Sequence, residues 1–502
     1  MRPRLDAPLG RFTMYRLVVF CLVAILAVAD VLSILGLVRP GDAVAIPVSV
    51  AVLLLTSLVA NRLLALVFRV RPHSESTVIT ALLLALILPP ALTAADLGVL
   101  ALAALLAVAS KYVLAIRRRH VFNPAAAGAF AIGLTGLAFG QWWVGTPWLL
   151  PFVAVGAFLV LFRTRRLPLG GTYVVVAGGI GFLVYLLGGT PPLDALWFAL
   201  ASSPVVFFAG FMLSEPLTMP PRRWQQIAEA AVVGVVASVP FAVGPLHNSP
   251  EFALLVGNLL AFVVGQRRGI RLEFLGRRPL SPSSWELDFR AIGPVAFRPG
   301  QFMEISLPHR GTDSRGWRRT FSIASAPGDD RVMRIGVRVS EPASSFKKAL
   351  LDLEPGTQVS ATAVGGDFLL PADTRRPLLL VAGGIGITPF VGHLEQIAAE
   401  PGERDVVLVY AVTSGDDLPY AEQLAATGWR VFVVAPESPE LPDGWTWLGP
   451  GRLTGDALLA AVPDARRRDA FLSGPPGMVA DLKGALHRAG VRRVHTDVFV
   501  GY

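Results

Sequence analysis

Up to about residue 266 the chain is a succession of apolar blocks separated by short loops. Inside a bilayer every backbone N–H and C=O must be satisfied within the segment, so such blocks fold as spanning helices or as a closed barrel. Blocks of roughly 20 apolar residues read as helices. About ten are expected, near 14–38, 43–69, 76–91, 94–116, 124–140, 148–163, 169–189, 194–213, 225–245 and 251–266. Hydrophobic residues make up 53% of the 502 and charged residues 16%, a departure from the soluble average in the membrane direction. From about residue 280 the pattern is that of a soluble α/β protein. The break falls in "GQRRGIRLEFLGRRPLSPSS", basic and then Pro/Ser-rich, as linkers are.

The loops carry an asymmetry. Arg11 and Arg16 precede the first block, and Arg69 and Arg71 follow the second. Arg117, Arg118 and Arg119 follow the fourth, and Arg163, Arg165 and Arg166 the sixth. Arg222 and Arg223 follow the eighth, and Arg267, Arg268 and Arg271 the tenth. Loops such as "PPALTAAD", "GQWWVGTPW" and "LLGGTPPLD" have no Lys or Arg. The positive-inside rule then predicts a multi-pass protein of the cytoplasmic membrane with both termini in the cytoplasm. The same topology accounts for the net charge of +9, so membrane lipid and not nucleic acid is the expected partner. Cys21 is the only cysteine, which excludes disulfides, Cys-ligated zinc and iron–sulfur clusters within the chain. His73, His120 and His247 do not pair on helices, so no bis-histidine haem and no metal site are expected.

Two polar turns interrupt the apolar half. Asn123-Pro124 forces a non-helical entry and then presents the small residues Ala125 to Gly128, which allow close helix approach. Glu215-Pro216 and Thr218 lie at another helix end. Taken singly these are helix punctuation. In order and spacing, "ALLLALILPP", "RRRHVFNPAAAG" and "MLSEPLTMPP" resemble the membrane flavoprotein subunits RnfD and NqrB, of the Rnf complex and the sodium-translocating NADH:quinone reductase. The Ser-Gly-Ala-Thr type motif that carries covalent FMN in that family has no match in this chain. The resemblance therefore implies non-covalent FMN or riboflavin in the membrane domain, near the Asn123 and Thr218 turns.

In the second half "ELDFRAI", "QFMEISL", "RTFSIAS" and "RVMRIGVRV" read as antiparallel strands. After 375, strands alternate with helices, as in a parallel sheet. Within it "GGIGITP" follows an apolar strand and opens a helix. Gly383, Gly384 and Gly386 let backbone approach a pyrophosphate, and Thr388 and Pro389 begin the helix.

This order of motifs resembles the ferredoxin–NADP reductase family over about 283–502. The resemblance implies an antiparallel β-barrel FAD domain (271–374) and an α/β NAD(P)-binding domain (375–502), behind an all-α membrane bundle (1–270). It places Arg319 of "RTFS" on the flavin phosphates, with Thr320 beside it, Phe321 against the ring and Ser322 near N5. It places Ser344 and Ser345 at a second phosphate segment and Gly366 and Phe368 of "GGDF" beside the flavin. It puts Ser473, Gly474 and Pro475 of "SGPPGM" at the nicotinamide, Ser473 standing where the family usually has Cys. Terminal Tyr502 corresponds to the aromatic cap on the flavin. Ser322, Ser473 and Tyr502 are thus the expected catalytic set. Asp416 and Asp417, with no Arg near them, lean towards NADH over NADPH.

The combined expectation is an FAD-dependent NAD(P)H oxidoreductase that passes electrons into or across the membrane. The acceptor would be a membrane quinone or an extracytoplasmic carrier. A quinone reductase coupled to ion movement is one alternative. A transporter with a redox-sensing flavin module is another.

Overall fold

The computed structural model describes residues 13–39, 41–70, 74–116, 119–265, 269–313, 316–328, 330–400 and 404–499. Tyr502, His73 and the arginines Arg11, Arg71, Arg117, Arg118, Arg267 and Arg268 lie outside the described residues. The chain divides into two compact units, with the division near residue 268.

The first unit is helical. Each expected apolar block contains a helix, but among the described residues five helices, not ten, are long and apolar enough to cross a membrane. These are Met14–Ile34, Ala45–Val67, Ala94–Val113, Leu167–Leu187 and the broken segment Pro192–Met212. Ser74–Ile87, Pro124–Leu134, Leu150–Arg163 and Pro250–Val263 are apolar but short. A helix of 14 residues rises only about 21 Å, against a hydrocarbon core of roughly 30 Å. Proline sets several of these limits. Pro89 and Pro90 follow Ser74–Ile87, while Pro124 and Pro250 each open a helix behind a capping side chain, Asn123 and Ser249.

Packing in this unit repeats. In the first half Met14–Ile34 packs on Ser74–Ile87, and Ala45–Val67 packs on both Ser74–Ile87 and Ala94–Val113. Ala94–Val113 in turn packs on Pro124–Leu134. In the second half Leu150–Arg163 packs on Val205–Phe207 and the π-turn Phe208–Met212. Leu167–Leu187 packs on Pro192–Leu200 and on Arg223–Ser238, which packs on Pro250–Val263. Equivalents also meet each other: Met14–Ile34 with Leu150–Arg163, and Pro124–Leu134 with Pro250–Val263. A two-residue-per-strand hairpin precedes the last helix of each half, Ala115–Ile116 with Arg119–His120 and Ala242–Val243 with Leu246–His247. The sequence keeps a trace of the duplication in "LILPPALT" (86–93) and "FMLSEPLT" (211–218).

The small residues after Asn123 serve close approach, as expected. A Cβ on Gly128 would lie 2.5 Å from Ala107 Cβ and 2.9 Å from the Ala103 carbonyl oxygen. Gly128→Ala should cost about 1–3 kcal/mol by overpacking and lower the thermal midpoint of the detergent-solubilised protein. An unchanged midpoint would mean that these helices are not in contact at this glycine.

The second unit holds two six-stranded sheets. The first is antiparallel, from β1 (Ile270–Ser281), β2 (Ser284–Ala291), β3 (Phe302–Ser306), β4 (Arg318–Ser322), β5 (Val332–Arg338) and β6 (Gln358–Gly365). Its order is β4-β3-β6-β1-β2-β5. The bridge Ile323↔Ile335 joins the end of β4 to β5, so the two edges meet. Leu272, Phe274, Phe289, Met303 and Ile335 fill its core.

The second sheet is parallel, from β7 (Leu378–Gly383), β8 (Val406–Ala411), β9 (Arg430–Val434), β10 (Thr446–Trp447), β11 (Asp469–Gly474) and β12 (Val494–Val498). Its order is β10-β9-β8-β7-β11-β12. Every residue of β7 and β11 is buried, as in a sheet covered on both faces. Strand order reverses between β7 and β11, which is where open parallel sheets bind ligands.

Candidate functional site

A cavity of about 1470 Å³ runs from β4 of the antiparallel sheet to the carboxyl ends of the parallel strands. Its wall includes Arg319, Thr320, Phe321 and Ser322 at one end, Gly383, Gly384 and Ile385 in the middle, and Arg452 and Arg488 further on. That exceeds the roughly 300–1,000 Å³ of a pocket for one drug-sized ligand. It suits two extended molecules meeting end to end.

The β4 end is rigid. Arg319 is 5% exposed. One guanidinium nitrogen donates to the Gly316 carbonyl at 3.0 Å and to the Arg318 carbonyl at 2.8 Å. The other donates to Asp313 at 3.3 Å. The guanidinium carbon lies 5.1 Å from the Phe346 ring centroid, within cation–π range. Phe321 stacks on the same Phe346 at 6.0 Å. Ser344 caps the helix Ser345–Leu351 by accepting from the Lys347 N–H at 3.3 Å. Ser345 accepts from the Asp313 N–H at 3.0 Å, and its hydroxyl lies 3.0 Å from His309 Nε2. These two serines build the wall behind Arg319, while Lys347 itself faces the cavity.

Glycines shape the middle. Gly384 has φ +55, a conformation L side chains rarely adopt. The chain turns there through the 3₁₀ segment Gly384–Ile387 into Thr388–Ala398. Gly386 does not face the cavity; a Cβ on it would lie 2.6 Å from the Ser473 carbonyl oxygen, so its role is close packing of strand ends. Thr388 is buried and donates to the Ile385 carbonyl at 3.0 Å. Pro389 is buried in the same first turn. Gly366 has φ +115 and sits against Phe302, away from the cavity wall. Phe368 also departs from expectation. It is buried in the core of the parallel sheet, with Phe390, His393 and Phe471 at 5.5, 5.7 and 5.2 Å.

At the strand-reversal point three residues converge from separate segments. Ser322 ends β4 and donates to Asp497 of β12 at 3.3 Å. Asp497 pairs in register with Ser473 of β11. Ser473 is fully buried, and its hydroxyl has no hydrogen-bond partner among the described residues. Burial pushes the Asp497 carboxyl up to about 6, against the pull of the Ser322 hydroxyl and the Val498 N–H. Sequence reading singled out Ser322 and Ser473 and missed Asp497. The available signal was the acid in "DVFVGY", which a strand can place beside "SGPPGM". Phe499, in that same stretch, lines the cavity. Gly474 and Pro475 are adjacent, with Pro475 in the wall.

The leaning to NADH from Asp417 does not hold. Asp417 accepts from Ser281 and from Ser283 (2.7 Å) and pairs with Arg338 at 3.4 Å. Its carboxylate ties the two sheets together and is not available to a ribose.

In the helical unit the two polar turns join each other. The Asn123 N–H donates to Asn258 Oδ1 at 2.7 Å, and Asn123 Oδ1 accepts from the Ala126 N–H at 3.2 Å. The Thr218 hydroxyl donates to Glu215 at 3.4 Å, and its carbonyl accepts from Asn258 at 3.3 Å. His120 Nε2 lies 3.2 Å from Glu215, and Lys111 donates to the Ser76 carbonyl at 3.2 Å. Asn258 was not singled out in the sequence, because one Asn in an apolar helix gives no pattern. The cavity beside these turns measures about 40 Å³, room for a few waters and not for an isoalloxazine. Arg39 is an exception to the charge asymmetry, lying in a loop after the first helix and paired with Asp42 at 2.6 Å.

Comparison with known proteins agrees with the second unit. Residues 380–484 match the oxidoreductase NAD-binding domain family. The reductase subunit of an aromatic O-demethylase from Amycolatopsis is 31% identical over 217 residues, 41% of this chain and 62% of that protein. The electron transfer component of toluate 1,2-dioxygenase from Pseudomonas putida is 30% identical over 239 residues, 45% of this chain and 66% of that protein. The solved cytochrome P450 reductase GcoB of Amycolatopsis aligns with TM-score 0.41 and 27% identity, over 47% of this chain and 70% of its own. The chain thus covers just under two thirds of the two curated relatives. The C-terminal half of the chain is of the ferredoxin–NADP reductase-like, FAD- and NAD-binding type.

Proposed function

We propose that the protein is an FAD-dependent NAD(P)H oxidoreductase whose helical unit anchors it in the cytoplasmic membrane. The observation that carries this reading is the continuous cavity from Arg319 and Phe321 to the glycine turn at Gly383 and Gly384. FAD, when bound, accepts a hydride and gives up electrons singly. The chain's own part is to hold and orient. Arg319 and Lys347 supply positive charge for phosphates at the β4 end. Phe321 offers a flat face, and Ser322, held by Asp497, offers a hydroxyl beside the reacting atoms. The turn at Gly383–Ile385 admits the nucleotide backbone to the strand ends.

Electrons then pass to an acceptor in or beyond the membrane, a quinone or an extracytoplasmic carrier. The arginine-bearing helix ends support a multi-pass topology with the cofactor unit in the cytoplasm, where nicotinamide nucleotides are. A second reading, a quinone reductase coupled to ion movement, is favoured by the duplicated packing of the helical unit. Internal repetition of helical packing is a feature of secondary transporters. Buried Glu229, and Glu215 beside His120, are ionisable groups within the helical unit. Asn123 is not assigned a flavin, since the cavity it lines measures about 40 Å³.

Membranes containing the protein should oxidise NAD(P)H with ferricyanide and, more slowly, with a short-chain quinone. Acid-extracted flavin should include FAD at one per chain. Absence of FAD together with absence of ferricyanide reduction would sink the oxidoreductase reading.

A further inference from the structure

His120 and Glu215 meet beside the polar turns of the helical unit. Nε2 of His120 lies 3.2 Å from Glu215 Oε1, and the two side chains are 10% and 15% exposed. The Thr218 hydroxyl donates to the other carboxylate oxygen at 3.4 Å. In the sequence His120 follows the arginine run 117–119, on the side that the positive-inside rule assigns to the cytoplasm. Glu215 also lines the cavity of about 40 Å³, with Ser76, Thr80, Asn123 and Ser214. The Thr80 hydroxyl donates to the Ser76 carbonyl at 2.9 Å, and the Ser214 hydroxyl to the Gly210 carbonyl at 2.6 Å. Both hydroxyl protons are thus committed to backbone, and the lone pairs that remain can only accept. A cavity of this size with such a lining takes water, which donates to these groups.

Cations brace the surroundings. Lys111 donates to the Ser76 carbonyl at 3.2 Å and to its hydroxyl at 3.3 Å. Arg119 donates to the Leu217 carbonyl at 3.4 Å, and Arg166 to the Ser214 carbonyl at 2.5 Å. Arg16 pairs with Glu75 at 3.0 Å, and Glu229 is a further buried acid of this unit. One carboxylate among so many cations does not make a metal-cation site, which gathers several oxygen ligands. Proton exchange asks for less. Imidazole exchanges protons near neutral pH, and a single water can carry a proton between two groups. The order His120, Glu215, cavity water is a path for protons, built from side chains for which FAD binding has no use.

We propose that His120 and Glu215 form a proton-uptake site that serves reduction of a quinone at the helical unit. This rests on the oxidoreductase reading above, with a quinone as acceptor, and deepens it. A quinone becomes a quinol by gaining two electrons and two protons, which form two new O–H bonds. NAD(P)H gives up two electrons, by way of FAD, and one proton. The net reaction, NAD(P)H + H+ + quinone → NAD(P)+ + quinol, therefore draws one proton from water. Ferricyanide takes electrons alone, so the two acceptors separate proton supply from flavin reduction.

The test uses the full chain purified in detergent, with NAD(P)H as donor and ferricyanide or a short-chain quinone as acceptor. Glu215→Gln and His120→Ala should each lower the quinone rate by about a hundredfold and leave the ferricyanide rate unchanged. Added imidazole should restore His120→Ala, and a lower pH should narrow the deficit of both variants, since each supplies protons that the pair no longer carries. Glu215→Asp should keep part of the rate. Melting curves check folding, and His120→Gln, which can still hydrogen-bond to Glu215, takes the acid test if His120→Ala does not fold. A deficit that neither imidazole nor acid relieves is a packing effect and overturns the proposal. Variants that reduce quinone at the wild-type rate overturn it too. If the wild type reduces ferricyanide but no quinone, the proposal falls and the oxidoreductase reading stands. If it reduces neither, both fall.

Discussion

Arg319→Ala protein is expected to purify largely without FAD. The guanidinium is held by the Gly316 and Arg318 carbonyls and by Asp313, and it lies over Phe346. That framework fixes a cation at the wall of the cavity before any ligand arrives, so little ordering cost remains on binding. Losing one charge-assisted hydrogen-bond set costs roughly 1.5–3 kcal/mol. The FAD dissociation constant should therefore rise about tenfold to a hundredfold. Flavin content per chain after gel filtration, and fluorescence titration of the stripped protein with FAD, measure this directly. Arg319→Lys should recover only part of the affinity, since an ammonium lacks the planar fork. The variant also strands Asp313 and two carbonyls, so some loss of apoprotein stability is expected in parallel. Stoichiometric FAD retained by a destabilised Arg319→Ala protein would make Arg319 a structural residue only.

How far the sequence reveals this site depends on whether a function is local in the chain. Arg319 to Ser322 and the Gly383–Gly384 turn are contiguous motifs, and the structure puts each on the cavity wall. Phe368 sits in a contiguous motif too, yet its ring turns into the aromatic core around His393, because a loop residue's direction is set by what it packs on. Asp417 looked free in the sequence. It is tied to Ser281 and Ser283, more than 130 positions away, and no local pattern announces that. The helical unit shows the same limit at larger scale. Apolar blocks located every helix, but block length did not give helix length. Prolines and capping residues inside the blocks cut Pro124–Leu134 and Pro250–Val263 short. The duplication emerges from packing, since the three identities between "LILPPALT" and "FMLSEPLT" are too sparse to stand alone.

Asp497→Asn should leave FAD in place and slow reduction of the flavin by NAD(P)H. Asp497 does not line the cavity wall but accepts from Ser322, which does. It is thus a positioning residue, and its role is to aim the Ser322 hydroxyl. An ionised carboxylate can only accept, so it fixes the Ser322 O–H towards itself and turns the hydroxyl lone pairs to the cavity. A neutral acid can donate as well, and that orientation is lost. With the carboxyl pushed up to about 6 by burial, the change falls within an accessible range. The stopped-flow rate of flavin reduction in the wild type should drop as pH falls through about 6. Asp497→Asn should show a pH-independent rate there, lower by about tenfold to a hundredfold, as misorientation near a reacting centre costs. Stability should respond in the opposite sense. The folded-state value lies above the ordinary 3.8. The native protein therefore holds the extra proton between the two values, and stability is lost as pH rises from about 4 through about 6. Asp497→Asn should remove that slope from the pH dependence of unfolding in the FAD-free protein. A purely structural aspartate would alter the melting curve and leave the pH profile of flavin reduction as it is in the wild type. A variant whose reduction rate still bends near pH 6 would assign that titration to another group.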